Sequence, residues 1–141
     1  MSADTFIDTN VLAYGFDDES PDKQAIAREL IASADFVIST QVLGELYVTL
    51  TRKLVRKVPA DVAHQALIEL QALDVVPITA GLVLAATETS VRWQLSYWDS
   101  LIIEAAAKAG CITLLTEDLN DQAVINGVRI VNPFASLSPE C

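Results

Sequence analysis

The chain is short of the residues that usually announce a covalent scaffold or a soft-metal centre. Its 141 residues hold two cysteines and a single histidine. Cys111 lies inside an apolar run and Cys141 is the last residue. They build neither a disulfide framework nor a zinc knuckle, and a reducing compartment is the simpler reading. Glycine and proline number five each, and 52% of residues are hydrophobic. That excludes collagen-like repeats, a linker-dominated chain and intrinsic disorder. Basic residues are scarce, nine Lys and Arg against nineteen Asp and Glu, for a formal net charge of -10. Such a balance rules out a coating role on nucleic acid, and contact with a polyanion requires a local basic patch on an acidic body. No uncharged apolar run approaches the roughly eighteen residues that span a bilayer, and Met1-Ser2-Ala3-Asp4 meets an acid before any apolar stretch. A soluble, cytoplasmic, single domain over residues 1–141 is expected.

What is present alternates between strand and helix signals. Thr5-Phe6-Ile7 and Phe36-Val37-Ile38 read as short strands, and Ser20-Pro21 opens a helix carrying Ala25, Ile26, Leu30 and Ile31. Val42 to Leu54 predicts a helix with Leu43, Leu46, Tyr47 and Leu50 on one face. Pro59 to Leu73 predicts another, with Val62, Ala66 and Leu70 inward. Val75-Val76-Pro77-Ile78 is a strand whose proline belongs at an edge or an end. Helices from Gly81 to about Trp93 and from Trp98 to Ala109 follow, the second closed by Gly110. Cys111 to Leu115 reads as a central strand and Gly127 to Val131 as the last one. These elements predict an α/β three-layer domain with a mostly parallel sheet.

Four acids fall where such a sheet gathers its ligands. Asp8 follows the first strand, Glu45 lies early in the helix after the second, Asp99 begins the alanine-rich helix, and Asp118 follows the apolar strand. Each also has an ordinary use: a loop opener, a solvated helix residue, a first-turn acid, a helix cap. Converging carboxylates repel by about 4 kcal/mol per pair at 4 Å and an effective dielectric of 20. A hard cation offsets this, so Mg²⁺ or Mn²⁺ is the expected cofactor and metal-activated water the expected nucleophile. Thr9, Asn10 and Thr116 are placed to orient the acids, while Asp121 is either an accessory acid or ordinary turn composition. Phosphodiester hydrolysis fits this set, with no Walker loop or dinucleotide fingerprint to compete. The one basic cluster, Arg52, Lys53, Arg56 and Lys57, has the spacing to contact phosphate or simply to finish a helix. Tyr47, Trp93, Tyr97 and Trp98 read as core or oligomer-contact aromatics, and His64 as structural or exposed.

The segments carrying these acids resemble the PIN-domain ribonucleases, in particular the VapC-like toxin group. They are Phe6-Ile7-Asp8-Thr9-Asn10-Val11-Leu12, the helical Glu45, Leu95-Ser96-Tyr97-Trp98-Asp99-Ser100-Leu101-Ile102, Leu115-Thr116-Glu117-Asp118-Leu119, and Gly127-Val128-Arg129-Ile130-Val131-Asn132-Pro133-Phe134. The resemblance covers almost the whole chain. It implies a parallel sheet of about five strands between helices, a homodimer, and Mg²⁺- or Mn²⁺-dependent endonucleolytic cleavage of RNA at Asp8, Glu45, Asp99 and Asp118. Asn10 and Thr116 are then its polar supports and Asp121 a variable acid. It also implies a small antitoxin partner whose basic tail enters the acidic cleft. Two other classes stay open: a PIN-like RNA-binding or scaffold protein without turnover, and a small-substrate phosphohydrolase. Thr9-Asn10 after Asp8, in place of a second aspartate two residues on, disfavours the latter.

Overall fold

A computed structural model describes residues 3–137; Cys141 and the first two residues lie outside them. The element order is β1 (Thr5–Ile7), α1 (Thr9–Tyr14), α2 (Pro21–Ser33), β2 (Val37–Ser39), α3 (Thr40–Val48), a π turn (Thr49–Lys53), α4 (Ala60–Leu70), β3 (Asp74–Val76), α5 (Ala80–Trp93), α6 (Tyr97–Lys108), β4 (Thr113–Leu115), β5 (Val124–Ile125) and β6 (Val128–Val131). The sheet order is β3-β2-β1-β4-β6-β5, parallel throughout except for the final β5–β6 hairpin. Burial on both faces explains why the central strands are apolar without alternation. Phe6, Ile38, Leu114 and Ile130 are fully buried, one from each of the four inner strands. Asp74–Val76 takes the edge and ends just before Pro77, as a residue without an N–H requires.

Four local features depart from the sequence reading. The sheet has six strands, not five, because Asn126-Gly127 makes a hairpin with φ of 51° and 81° and folds β5 back on β6. Helix α1 begins directly after β1, where only a loop was expected: Asp8, extended at ψ 160°, accepts the Thr9 N–H at 2.7 Å and caps it. The helix expected over Val42–Leu54 widens at Thr49. The Thr51 hydroxyl bonds the Tyr47 carbonyl at 2.8 Å, and the Leu54 N–H reaches back five residues to the Thr49 carbonyl. Hydroxyl back-bonding of this kind loosens the regular ladder. Inward faces also shift by one residue: Val42, Leu46 and Leu50 are buried while Tyr47 is exposed, and Ala63 takes the place assigned to Val62. On α2 only Ala27 is fully buried.

Ladder bonds continue past the strand ends and fix the start of each functional loop. The Asp8 N–H donates to the Leu115 carbonyl at 3.0 Å, and the Thr116 N–H to the Val131 carbonyl at 3.1 Å. Asp8 and the 116–118 segment are therefore set by backbone geometry, the least adjustable part of the fold.

Candidate active site

Thr116 is the hub of the site and is completely buried. A threonine hydroxyl offers one donor and two acceptor positions, and all are used. Oγ1 donates to Asp8 Oδ2 at 2.9 Å and accepts from Asn10 Nδ2 at 3.1 Å and from the Asp118 N–H at 3.2 Å. Asn10 completes the connection. Its Nδ2 donates to Asp118 Oδ2 at 2.8 Å and lies 3.3 Å from Asp8 Oδ2, while its Oδ1 accepts the Glu117 N–H at 3.3 Å. Residues more than a hundred positions apart are thus tied into one unit.

Glu45 stands on the other wall. The Thr9 hydroxyl donates to its Oε1 at 3.0 Å, and Gln41 Nε2 to its Oε2 at 3.3 Å. Gln41 Nε2 also reaches the Trp98 carbonyl at 3.2 Å, tying α3 to the first turn of α6. Gln41 was not singled out in the sequence; its place one helical turn before Glu45 is the signal that marks it. Asp99 sits in the first turn of α6, where its N–H donates to the Ser96 hydroxyl at 3.0 Å. Ser96, not Asp99, caps that helix. Glu45 is thus held by side chains of α1 and α3, and the backbone at Asp99 by the cap of α6.

The electrostatics show which of these acids act on one another. Burial pushes the Asp8 carboxyl up to about 7, and the charges of Glu45 and Asp118 add to the rise against the opposing bonds from Thr116 and the Thr9 N–H. Asp99 is raised as well, by burial first and then by Asp118 and Glu45. All four acids therefore share one field. Among the described residues, no three His, Cys, Asp or Glu side chains pack closely enough to enclose a metal ion by themselves. Mg²⁺ keeps several waters and is commonly held by one or two carboxylates. A buried Asp8 tied to an exposed Asp118 suits that open mode better than a closed cage.

The remaining predicted residues separate. Asp121 Oδ1 accepts the Asn132 N–H at 2.8 Å, so this carboxylate closes the turn onto the end of β6. Arg56 pairs with Asp18 at 3.3 Å on an exposed surface, Lys57 Nζ bonds the Leu54 carbonyl at 3.4 Å, and Arg52 is exposed. Lys53 alone of the four lines the cavities beside the acids. Trp93, Trp98 and Tyr47 are exposed and not in the core, as is His64. Alternation along the chain predicts that Glu117 points elsewhere than Asp118, but not its partners: it accepts the Tyr14 hydroxyl at 2.6 Å and the Lys23 ammonium at 2.9 Å. Lys23 also lies 4.7 Å from the centre of the Tyr14 ring. Nothing in sequence links positions 23 and 117.

The PIN domain family matches residues 5–126, and the chain belongs to it. No curated protein matches the chain. Among solved structures, it is similar to Mycobacterium tuberculosis VapC20, a sarcin-ricin loop cleaving toxin. That likeness is at 24% identity over 81% of this chain and 89% of that one, with a TM-score of 0.64. A toxin-antitoxin complex from Klebsiella pneumoniae is similar at 18% identity over 92% and 97%, with a TM-score of 0.68. VapBC2 from Rickettsia felis, bound to a promoter DNA fragment, is similar at 22% identity over 89% and 96%, with a TM-score of 0.60. Levels of identity this low establish a shared fold, so the chemistry has to be argued from the crevice itself.

Proposed function

We propose that the protein is a metal-dependent endoribonuclease and the toxin of a toxin-antitoxin pair. The observation that carries this reading is the Asp8–Thr116–Asn10–Asp118 network opposite Glu45 and Asp99. It ties Asp8 to Asp118 at one edge of the sheet, and the charges of Glu45 and Asp118 act on both Asp8 and Asp99, an arrangement that a divalent cation would offset. The neighbours described as toxins and toxin-antitoxin complexes support it.

Asp8 and Asp118, with Asp99 across the crevice, are the residues that would hold Mg²⁺ or Mn²⁺ through direct and water-bridged contacts. A bound divalent ion supplies an activated water and stabilises charge on the phosphoryl oxygens. Thr116 and Asn10 fix the carboxylate edges so that no reorganisation is needed when substrate arrives. Thr9 and Gln41 donate to the two oxygens of Glu45 and so fix its orientation. Burial, with the charges of Asp118 and Glu45, raises the Asp99 carboxyl from its ordinary value, and a bound cation would offset that repulsion.

The partners follow from the same charges. A small antitoxin with a basic tail would neutralise the crevice, and RNA is the substrate, met in the cytoplasm. Among the described residues no helix is long and apolar enough to cross a membrane. Leu84 and Val91, two turns apart on α5 and 66% and 79% exposed, supply an apolar face for a homodimer.

Total cellular RNA, incubated with pure protein and Mg²⁺ or Mn²⁺ and mapped at nucleotide resolution, tests this reading. Discrete cuts that vanish with EDTA and in Asp99→Asn, which stays folded, are expected. Cleavage that persists in the pure Asp99→Asn variant overturns the site.

A further inference from the structure

Two open cavities flank the acidic crevice and meet at one strip of chain. The first, of about 230 Å³, is lined among others by Asn10, Tyr14, Asp17, Leu54 and Glu117; the second, of about 370 Å³, by Thr9, Gly44, Glu45 and Val48. Thr49 and Lys53 line both. They are the first and last residues of the π turn, so the irregularity in the helix is what places them between the cavities. Single π turns of this kind recur at functional sites because they redirect side chains out of helical register.

The cation inventory singles out Lys53. Lys23 is committed to Glu117, Arg56 to Asp18, and Arg28 Nε to the Gly15 carbonyl at 2.9 Å. Among the described residues, Lys53 has no carboxylate within ion-pair distance, yet it borders the same cavities as Asn10 and Glu45. A crevice carrying Asp8, Glu45, Asp99 and Asp118 repels a polyanion except where a cation meets the strand. Glu117 adds little to that repulsion, because Lys23 and Tyr14 already hold it. The apolar floor provided by Ala13 and Leu54 suits a base face rather than water.

We propose that this strip is the subsite for the nucleotide adjoining the scissile phosphate, with Lys53 Nζ on its phosphate and Thr49 and Leu54 facing its sugar and base. The inference rests on the endoribonuclease reading and adds where the strand lies. Lys53 is a binding residue here: it holds the chain of the substrate and takes no part in bond breaking.

The test uses the full-length protein and an oligoribonucleotide spanning a cut mapped in total RNA. Lys53→Met, Lys53→Arg and Lys108→Met are compared, with thermal melts to verify folding. Lys108 has the same charge but lies at the far end of α6, beside Ala3, Val37 and Asp74 at the opening ends of their strands. Lys53→Met is expected to raise KM roughly 3- to 10-fold with kcat within about twofold, and to reduce the slope of log kcat/KM against log salt by about 0.7. Lys53→Arg should keep most of the affinity, and Lys108→Met should change neither quantity. If Lys53→Met and Lys108→Met are indistinguishable while the wild type cuts, the subsite is wrong and the nuclease reading stands. A fall in kcat at constant KM also overturns it, by placing Lys53 in the chemistry. A wild type that cuts no RNA defeats the nuclease reading and this inference together.

Discussion

Replacing Asp8 by Asn should make the metal-free protein more stable at neutral pH while removing its activity. In the fold the Asp8 carboxyl is pushed from 3.8 up to about 7, chiefly by burial and then by Glu45 and Asp118. A raised carboxylate pKa means that the folded state keeps a proton that the unfolded state releases between pH 3.8 and about 7. Stability from this group is therefore greatest below 3.8, falls through that window, and is flat above it. At about 1.4 kcal/mol per unit, the full difference is about 4 kcal/mol. Asn is uncharged and its oxygen can accept the Thr9 N–H, but its amide leaves Thr116 Oγ1 and Asn10 Nδ2 without the Oδ2 acceptor, so the gain falls short of that full difference while the dependence on pH disappears. Urea unfolding in EDTA at about pH 4 and about pH 8, followed by circular dichroism, measures the effect as a difference between two proteins that share every other titrating group. The wild type should lose several kcal/mol relative to Asp8→Asn as pH rises. With Mn²⁺ present, stabilisation of the wild type should grow through pH 7 as the proton is displaced, and should be much smaller in the variant. Parallel stability curves for the two proteins in EDTA would refute the claim that burial in the fold raises the proton affinity of Asp8.

Other outcomes follow from the same contacts. Lys23→Met leaves Glu117 facing Tyr14 without its cation. With side-chain exposures of 33% and 21% for the pair, a loss of about 1 kcal/mol in urea unfolding is expected, much of it recovered in Lys23→Met/Glu117→Gln; simple additivity of the two changes would show that the pair is not coupled. Cys111 is buried with its thiol pushed up to about 11, first by burial, so thiol reagents at pH 8 should label it only as fast as the protein unfolds. Rapid labelling of a variant lacking Cys141, under conditions where the fold is intact, would contradict that.

How much of this was legible beforehand depended on the length scale at which each feature is encoded. The parallel sheet and its acids could be read because an apolar run followed by a polar residue records the end of a buried strand, and the carboxyl edge of such a sheet is a shared place. Asp8 and Asp118 were singled out from that position and from the family resemblance of their segments. Helix α1 was missed because its signal, a capping Asp followed by Thr-Asn-Val, is the same signal as a ligand at a strand end; the residue does both, and only the 2.7 Å bond to the Thr9 N–H reveals the cap. Helix faces slipped by one residue at Tyr47 and Val62 because large apolar side chains on the surface count equally with buried ones in a periodicity argument. The extra hairpin was announced by Asn126-Gly127, the strongest short turn signal in the chain, and was passed over because β5 is only two residues long. The basic cluster was the least legible element. Spacing grouped Arg52, Lys53, Arg56 and Lys57 on an assumed regular helix, whereas the Thr51 hydroxyl diverts the backbone into a π turn and distributes them to different surroundings. A four-residue spacing predicts a common face only while the helical ladder holds; here the ladder widens over Thr49–Lys53, and of the four cations only Lys53 borders the cavities beside Asn10 and Glu45.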